Sequence, residues 1–152
     1  MKPTEKAASI SLNLGDFLCF AVYSANLAFG KAYKPMLEKL GLTYTQFITI
    51  VALWEQDSQT VGSLGEKLFL ESNTLTPILK KLEAMGYLLR QRDPADERQV
   101  RIKLTAQGRA LRNALAVENF PQTGLEADEF VALQQSVVRL RNNLIRTLKD
   151  GE

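Results

Sequence analysis

Three groups of residues in this sequence carry side chains able to do chemistry: one thiol, a run of short hydroxyl and amide side chains, and a cluster of arginines. The thiol is Cys19, the single cysteine of the chain, within LGDFLCFAVYS. Peroxides are attacked by thiolate rather than thiol, so a reactive cysteine needs its anion stabilised. Cys19 falls in or near the first turn of an expected helix, where the dipole and free backbone N–H groups favour an anion. Its apolar surroundings, Phe17, Leu18, Phe20 and Leu27, suit a hydrophobic peroxide better than hydrogen peroxide. A lone cysteine on an apolar helix face is, however, most often inert packing, and the residues alone leave both roles open.

The second group is Ser72, Asn73, Thr74 and Thr76, followed by Pro77, Lys80 and Lys81. At the exposed start of a helix, such side chains can hydrogen-bond to phosphates and base edges while the helix N-terminus attracts phosphate. The third group is Arg90, Arg92, Arg98, Arg101 and Lys103, spread over two short segments and the turn between them, with Asp96 and Glu97 placed to orient Arg98. Arginine at the tip of a ribbon can enter a narrow minor groove, where the negative potential is strongest. Charged turns are also common simply as solvated surface. It is the attachment of this turn to a helix pair that favours DNA.

Composition limits the alternatives. With 152 residues, 45% hydrophobic and 24% charged, the chain suits one globular domain able to bury a core without disulfides or metals. The net charge of +2 does not by itself announce nucleic-acid binding, so the case rests on where the basic residues lie. One cysteine and no histidine exclude a disulfide scaffold, a His- or Cys-clustered metal site and histidine as a general base, and nothing calls for a cofactor. No stretch is long and apolar enough to cross a membrane, and the polar start MKPTEKAASISLN lacks the apolar core of a signal peptide, so a cytoplasmic location is expected.

The elements that must position these groups are mostly helical. Asn13 or Ser11 is expected to cap a helix beginning near Leu14, with Asp16 in its first turn and Pro35 kinking or ending it near Tyr33–Lys34 before Gly41 closes the segment. Thr43 caps a second helix, TYTQFITIVALWEQ, apolar nearly all round and expected to be buried on most sides with Trp54 in the core. VGSLGEKLFL follows Thr60. ESNTLTPILKKLEAMG then carries Leu75, Ile78, Leu79, Leu82 and Met85 on one stripe, starting at Ser72 or Thr74 and ending at Gly86. The period then changes: YLLRQR and QVRIKL read as strands around the turn DPADER. A helix pair followed at once by a hairpin is the layout of a winged helix-turn-helix. After the cap Thr105, AQGRALRNALAVEN reads as helical, and a long amphipathic helix runs from about Ala127 to Lys149.

The stretch LESNTLTPILKKLEAMGYLLRQRDPADERQVRIKLTAQGRAL resembles the winged-helix core of the MarR family of transcription regulators. That resemblance implies a mainly α fold with a small β-hairpin wing. It divides the single domain, residues 1–152, into a DNA-reading lobe over 43–104 and terminal dimerisation helices over 14–42 and 106–149. It also implies a homodimer on a pseudo-palindromic duplex operator, a recognition helix lined by Ser72, Asn73, Thr74, Thr76, Pro77 and Lys80, and Arg98 at the wing tip held by Asp96. LCFAVYSANLAFGKAYKPMLEKLGLTYTQF is similar, more narrowly, to the organic hydroperoxide resistance regulators, the thiol-sensing branch. There an organic hydroperoxide oxidises the cysteine, to which two tyrosines of the partner subunit hydrogen-bond. The matching residues are Cys19, Tyr33 and Tyr44, and Tyr23 one turn after Cys19 borders the same pocket. Many relatives carry a second cysteine after the wing; this chain has none and so resembles one-cysteine members, in which the sulfenic acid goes on to a mixed disulfide or to over-oxidation.

The expectation is therefore a repressor, not an enzyme, released from DNA when Cys19 is oxidised. The alternative is a MarR-type repressor released by a small phenolic or aromatic ligand. A thiol peroxidase is disfavoured by the lack of a second thiol or histidine, and a purely helical interaction module leaves the basic hairpin without a purpose.

Overall fold

The computed structural model describes residues 12–152, so the expected cap Ser11 and most of the polar start lie outside the described residues. The described chain forms six α-helices and three short strands: α1 (Leu18–Leu40), α2 (Tyr44–Glu55), β1 (Gln59–Thr60), α3 (Val61–Leu68), α4 (Ser72–Ala84), β2 (Leu88–Arg92), β3 (Val100–Leu104), α5 (Ala106–Ala110) and α6 (Ala127–Asp150). It is the mainly α winged helix-turn-helix expected. The described residues divide into two compact units, the first ending at Phe120 and the second running over Pro121–Glu152. Among the described residues no helix is long and apolar enough to cross a membrane.

The core of the first unit is built where helical and strand periodicities meet. Leu75, Leu79 and Leu82, at i, i+4 and i+7 of α4, are completely buried against Ile50 and Leu53 of α2, Leu64 of α3, Leu88 of β2 and Ile102 of β3. Each such side chain contributes on the order of 1.5–3 kcal/mol by leaving water. Hydroxyl caps set three of the helix starts. Thr43 accepts from the Gln46 amide while the Gln46 side chain accepts from the Thr43 amide, and Thr60 and Thr105 accept from Ser63 and Gly108.

Several expectations are corrected. The first α-helix begins at Leu18, because Leu14–Asp16, with Gly15 at its centre, forms a tighter 3-10 turn in which Asp16 bonds back to Asn13. Asp16 thus precedes α1. Nor does Pro35 end the helix. Met36, Leu37 and Leu40, just beyond it, are buried in the core and carry the helix through the missing N–H, until Gly41 stops it at φ +66°. Trp54 is half-buried rather than in the core. The segment after Thr105 is α-helical only to Ala110 and then proceeds in 3-10 turns, Leu111–Ala114 and Val117–Asn119. The indole of Trp54 donates to the Gly108 carbonyl at 3.0 Å where this tightening starts.

The sheet is antiparallel in the order β1-β3-β2, and the two-residue strand β1 has no counterpart among the strands expected from sequence. β2 and β3 pair from Leu88↔Leu104 to Arg92↔Val100, whereas β1 covers β3 only at Ile102 and Arg101. The hairpin is tied to α4 by Glu83, whose carboxylate accepts the Arg90 amide at 2.7 Å and the Arg90 guanidinium at 3.1–3.2 Å. The bond from the Arg90 amide, followed by those from its side chain, holds the Glu83 carboxyl below its usual range against the opposing effect of burial.

In the second unit, α6 carries Phe130, Leu133, Val137, Leu144 and Leu148 near one stripe, and none of its residues is buried. The N-terminal two-thirds of α1 likewise exposes Leu18, Val22, Tyr23, Leu27 and Phe29.

Two outcomes follow from this packing. A methyl group at Gly108 would lie 2.0 Å from the Tyr87 carbonyl oxygen, part of the backbone. Gly108→Ala is therefore expected to destabilise the chain by about 2–3 kcal/mol or more, read as a fall in the urea midpoint; an unchanged midpoint contradicts this packing. Because the folded-state pKa of Glu83 is depressed, its contribution is present above the usual glutamate value and is lost as pH falls through the folded value. The stability difference between wild type and Glu83→Gln should accordingly be largest near pH 7 and shrink towards pH 3.

Candidate nucleic-acid interface and thiol site

Burying Leu75, Leu79 and Leu82 fixes the rotation of α4 and turns its other face outward. Ser72, Asn73, Thr74, Pro77, Lys80 and Lys81 are all exposed, and Thr76 is half-buried. The Thr76 hydroxyl donates to the Ser72 carbonyl at 2.7 Å, which leaves its oxygen free to accept. The exposed row begins in the first helical turn, whose amide groups lack intrahelical acceptors and attract anions.

The wing divides its arginines into two kinds. Arg98 projects from the turn with its side chain 96% exposed, and Arg92 is also exposed. Asp96 holds the base of Arg98, accepting its amide at 3.1 Å and lying 3.7 Å from its Nε. Arg90 and Arg101, by contrast, turn to the protein. Arg90 is paired with Glu83, while Arg101 donates to Asp93 at 2.8 Å and to the Ser58 carbonyl at 2.9 Å. The Ala95 amide and then the Arg101 side chain hold the Asp93 carboxyl below its usual range. Asp93 is a residue that sequence reasoning missed, although an Asp-Pro step opening a turn is the signal that marks it.

The thiol site is split along α1. Cys19 is the second residue of that helix and is exposed, as the expected position near the helix start requires. Tyr23 lies one turn later on the same side, its ring 6.4 Å from that of Phe20. Tyr33 and Tyr44 are brought together, ring centroids 5.3 Å apart and edge to face. Burial, and secondarily the neighbouring Tyr44, pushes the Tyr33 phenol above its ordinary value, which keeps it a hydrogen-bond donor. Cys19 does not reach this pair within one chain: Tyr33 comes fourteen positions after Cys19 on the helix, about 21 Å along the axis.

Tyr33 and Tyr44 belong to a larger aromatic cluster that sequence reasoning did not assemble. Tyr33 also meets Phe47 and Phe120 at 6.4 Å, and Phe47 meets Trp54 at 6.5 Å. With Val51 and Arg112 these rings line a cleft of about 740 Å³. Three of its aromatics lie within eleven residues in α2, but Phe120 joins only because the 3-10 turns after α5 bring it back.

The family described as transcriptional regulator SarA/Rot matches residues 31–115. The regulator TtmR of Methylorubrum extorquens is 44% identical over 137 residues, spanning 87% of this chain and 69% of that protein. The organic hydroperoxide resistance transcriptional regulator of Bacillus subtilis is 44% identical over 101 residues, 66% of this chain and 69% of its own length. Among solved structures, AbfR of Staphylococcus epidermidis, reduced and bound to DNA, has a TM-score of 0.74 at 37% identity, covering 87% of this chain and 94% of that one. With its exposed α4 face and arginine-tipped wing, the chain belongs to the SarA/Rot and MarR-type family of winged-helix, DNA-binding transcriptional regulators.

Proposed function

We propose that this regulator is a repressor that senses organic hydroperoxides through Cys19. One observation carries the reading: Tyr33 and Tyr44 are built as a pair that the Cys19 of the same chain is too far away to use. A second copy completes the site. The exposed apolar side chains of α1 and α6 supply the pairing faces. In that dimer the phenols of one copy donate hydrogen bonds to the Cys19 thiolate of the other. The thiolate sulfur attacks one peroxide oxygen, the O–O bond breaks, and the alkoxide leaves as the alcohol after taking a proton; Cys19 becomes a sulfenic acid. Breaking the tyrosine hydrogen bonds shifts the helices that set the spacing of the two reading lobes. Both half-sites must be met together, so a small displacement suffices to release DNA. The similarity to a hydroperoxide resistance regulator supports this reading.

On DNA, the exposed row of α4 enters the major groove, and Arg98 and Arg92 of the wing approach the flanking minor groove. A second reading is favoured by the aromatic cleft, whose volume of about 740 Å³ suits a small phenolic ligand, with Arg112 available to its charged group. Titration of the DNA complex with salicylate separates the two.

Cys19→Ser is expected to bind a duplex spanning the gene's own upstream region as tightly as wild type, yet to stay bound in cumene hydroperoxide that releases wild type. Release of Cys19→Ser by peroxide would overturn the thiol mechanism. Arg98→Ala should weaken binding by about tenfold or more and flatten its dependence on salt, measured by fluorescence anisotropy over a KCl series.

A further inference from the structure

Arg101 stands at a boundary in the sheet. It is the outermost residue of β3 that β1 still covers, opposite Thr60 on one side and Gln91 of β2 on the other. Beyond it the wing is a bare two-stranded ribbon, an element only marginally stable and poorly oriented by itself. At this boundary the guanidinium uses two edges of its planar fork: Nε donates to Asp93 Oδ2 at 2.8 Å, and Nη1 donates to the Ser58 carbonyl at 2.9 Å.

Both acceptors are themselves fixed. Asp93 is buried, its other oxygen accepts the Ala95 amide at 2.9 Å, and its own amide donates to the Gln99 carbonyl across the base of the turn. Ser58 sits at φ +57°, and its amide donates to Asp57 Oδ1, which also accepts the Leu104 amide. One side chain thus joins the root of the wing turn to the loop between α2 and β1, 43 residues away in sequence. The β2–β3 ladder requires neither of the two bonds.

We propose that Arg101 is a positioning residue: clamped between Asp93 and Ser58, it holds the wing at the angle from which Arg98 meets DNA. This rests on the reading above that the wing reaches DNA. An ion pair with a half-exposed arginine adds modestly to global stability, so the clamp acts chiefly on the direction of the ribbon.

Direct phosphate contact by Arg101 and the clamp give opposite signs for one substitution. Asp93→Asn leaves the Ala95 amide an acceptor, removes the acceptor for Arg101 and takes away a negative charge. If Arg101 touched phosphate directly, this change would leave binding unaltered or strengthen it; the clamp requires it to weaken binding, by roughly three- to tenfold. Arg101→Lys keeps the charge but loses the fork, and is expected to weaken binding as much as Arg101→Leu, with the salt dependence unchanged. A phosphate-binding arginine would instead be rescued by lysine, and leucine there would lower the salt slope by about 0.9 for each phosphate no longer neutralised. The full-length protein is tested by anisotropy on the upstream-region duplex and, without DNA, by hydrogen exchange of the amides of residues 95–99. Faster exchange in Asp93→Asn and Arg101→Leu, beyond what any fall in the urea midpoint accounts for, is the expected result. Unchanged exchange overturns the clamp whatever DNA binding does. Accelerated exchange with normal binding in these variants overturns the clamp's role on DNA, and if Arg98→Ala also binds normally, the wing reading itself has failed.

Discussion

The burial of Leu75, Leu79 and Leu82 is the constraint on which the reading lobe depends. These three leucines fix α4 in rotation, and the polar face proposed to meet DNA is turned outward because they are turned inward. They also hold the hairpin, since Leu88 and Ile102 pack on the same cluster and Glu83, next to Leu82, grips Arg90. A regulator of this kind needs its helix and its ribbon kept in one geometry, and here a single apolar stripe sets both. The polar residues at the start of α4 then need only be short and exposed, which is why so plain a run as Ser72-Asn73-Thr74 can serve as a reading surface.

Much of this is legible in the sequence, for identifiable reasons. Helical and strand periods separate cleanly on either side of Gly86, and hydroxyl caps at Thr43 and Thr105 announce their helices. What is not legible depends on contacts between distant segments. Pro35 looks like a terminator locally, but the burial of Met36, Leu37 and Leu40 outweighs one missing hydrogen bond. The strand β1 is two residues long and exists only because β3 lies beside it. The basic residues of the hairpin look alike in sequence, yet Arg90 and Arg101 have carboxylates waiting for them and Arg98 extends outward from its base at Asp96.

The thiol site shows a different limit. Position near a helix start identifies Cys19 as a residue that could be reactive, and the structure keeps it there. Its proposed partners are kept apart within one chain by distance: a continuous helix that carries Cys19 near one end and Tyr33 towards the other cannot fold back to join them. In the proposed mechanism, separating the two parts makes pairing of subunits and chemistry at the thiol a single requirement. A monomer would have a cysteine and a tyrosine pair, and no site.

Pro35 gives α1 an uneven stiffness. The helix is rooted in the reading lobe by Met36, Leu37 and Leu40, while the residues before Tyr33 run outward with no buried side chain. A proline has no amide to return to the preceding turn, so one rung of the helical ladder is missing just where the free arm meets its root. The arm is in effect a notched cantilever, with its compliance concentrated at the notch. A tilt of about 5° there moves the far end, some 25 Å away, by about 2 Å. A tilt of the arm is therefore concentrated at Pro35, at the edge of the reading lobe, rather than spread along the helix.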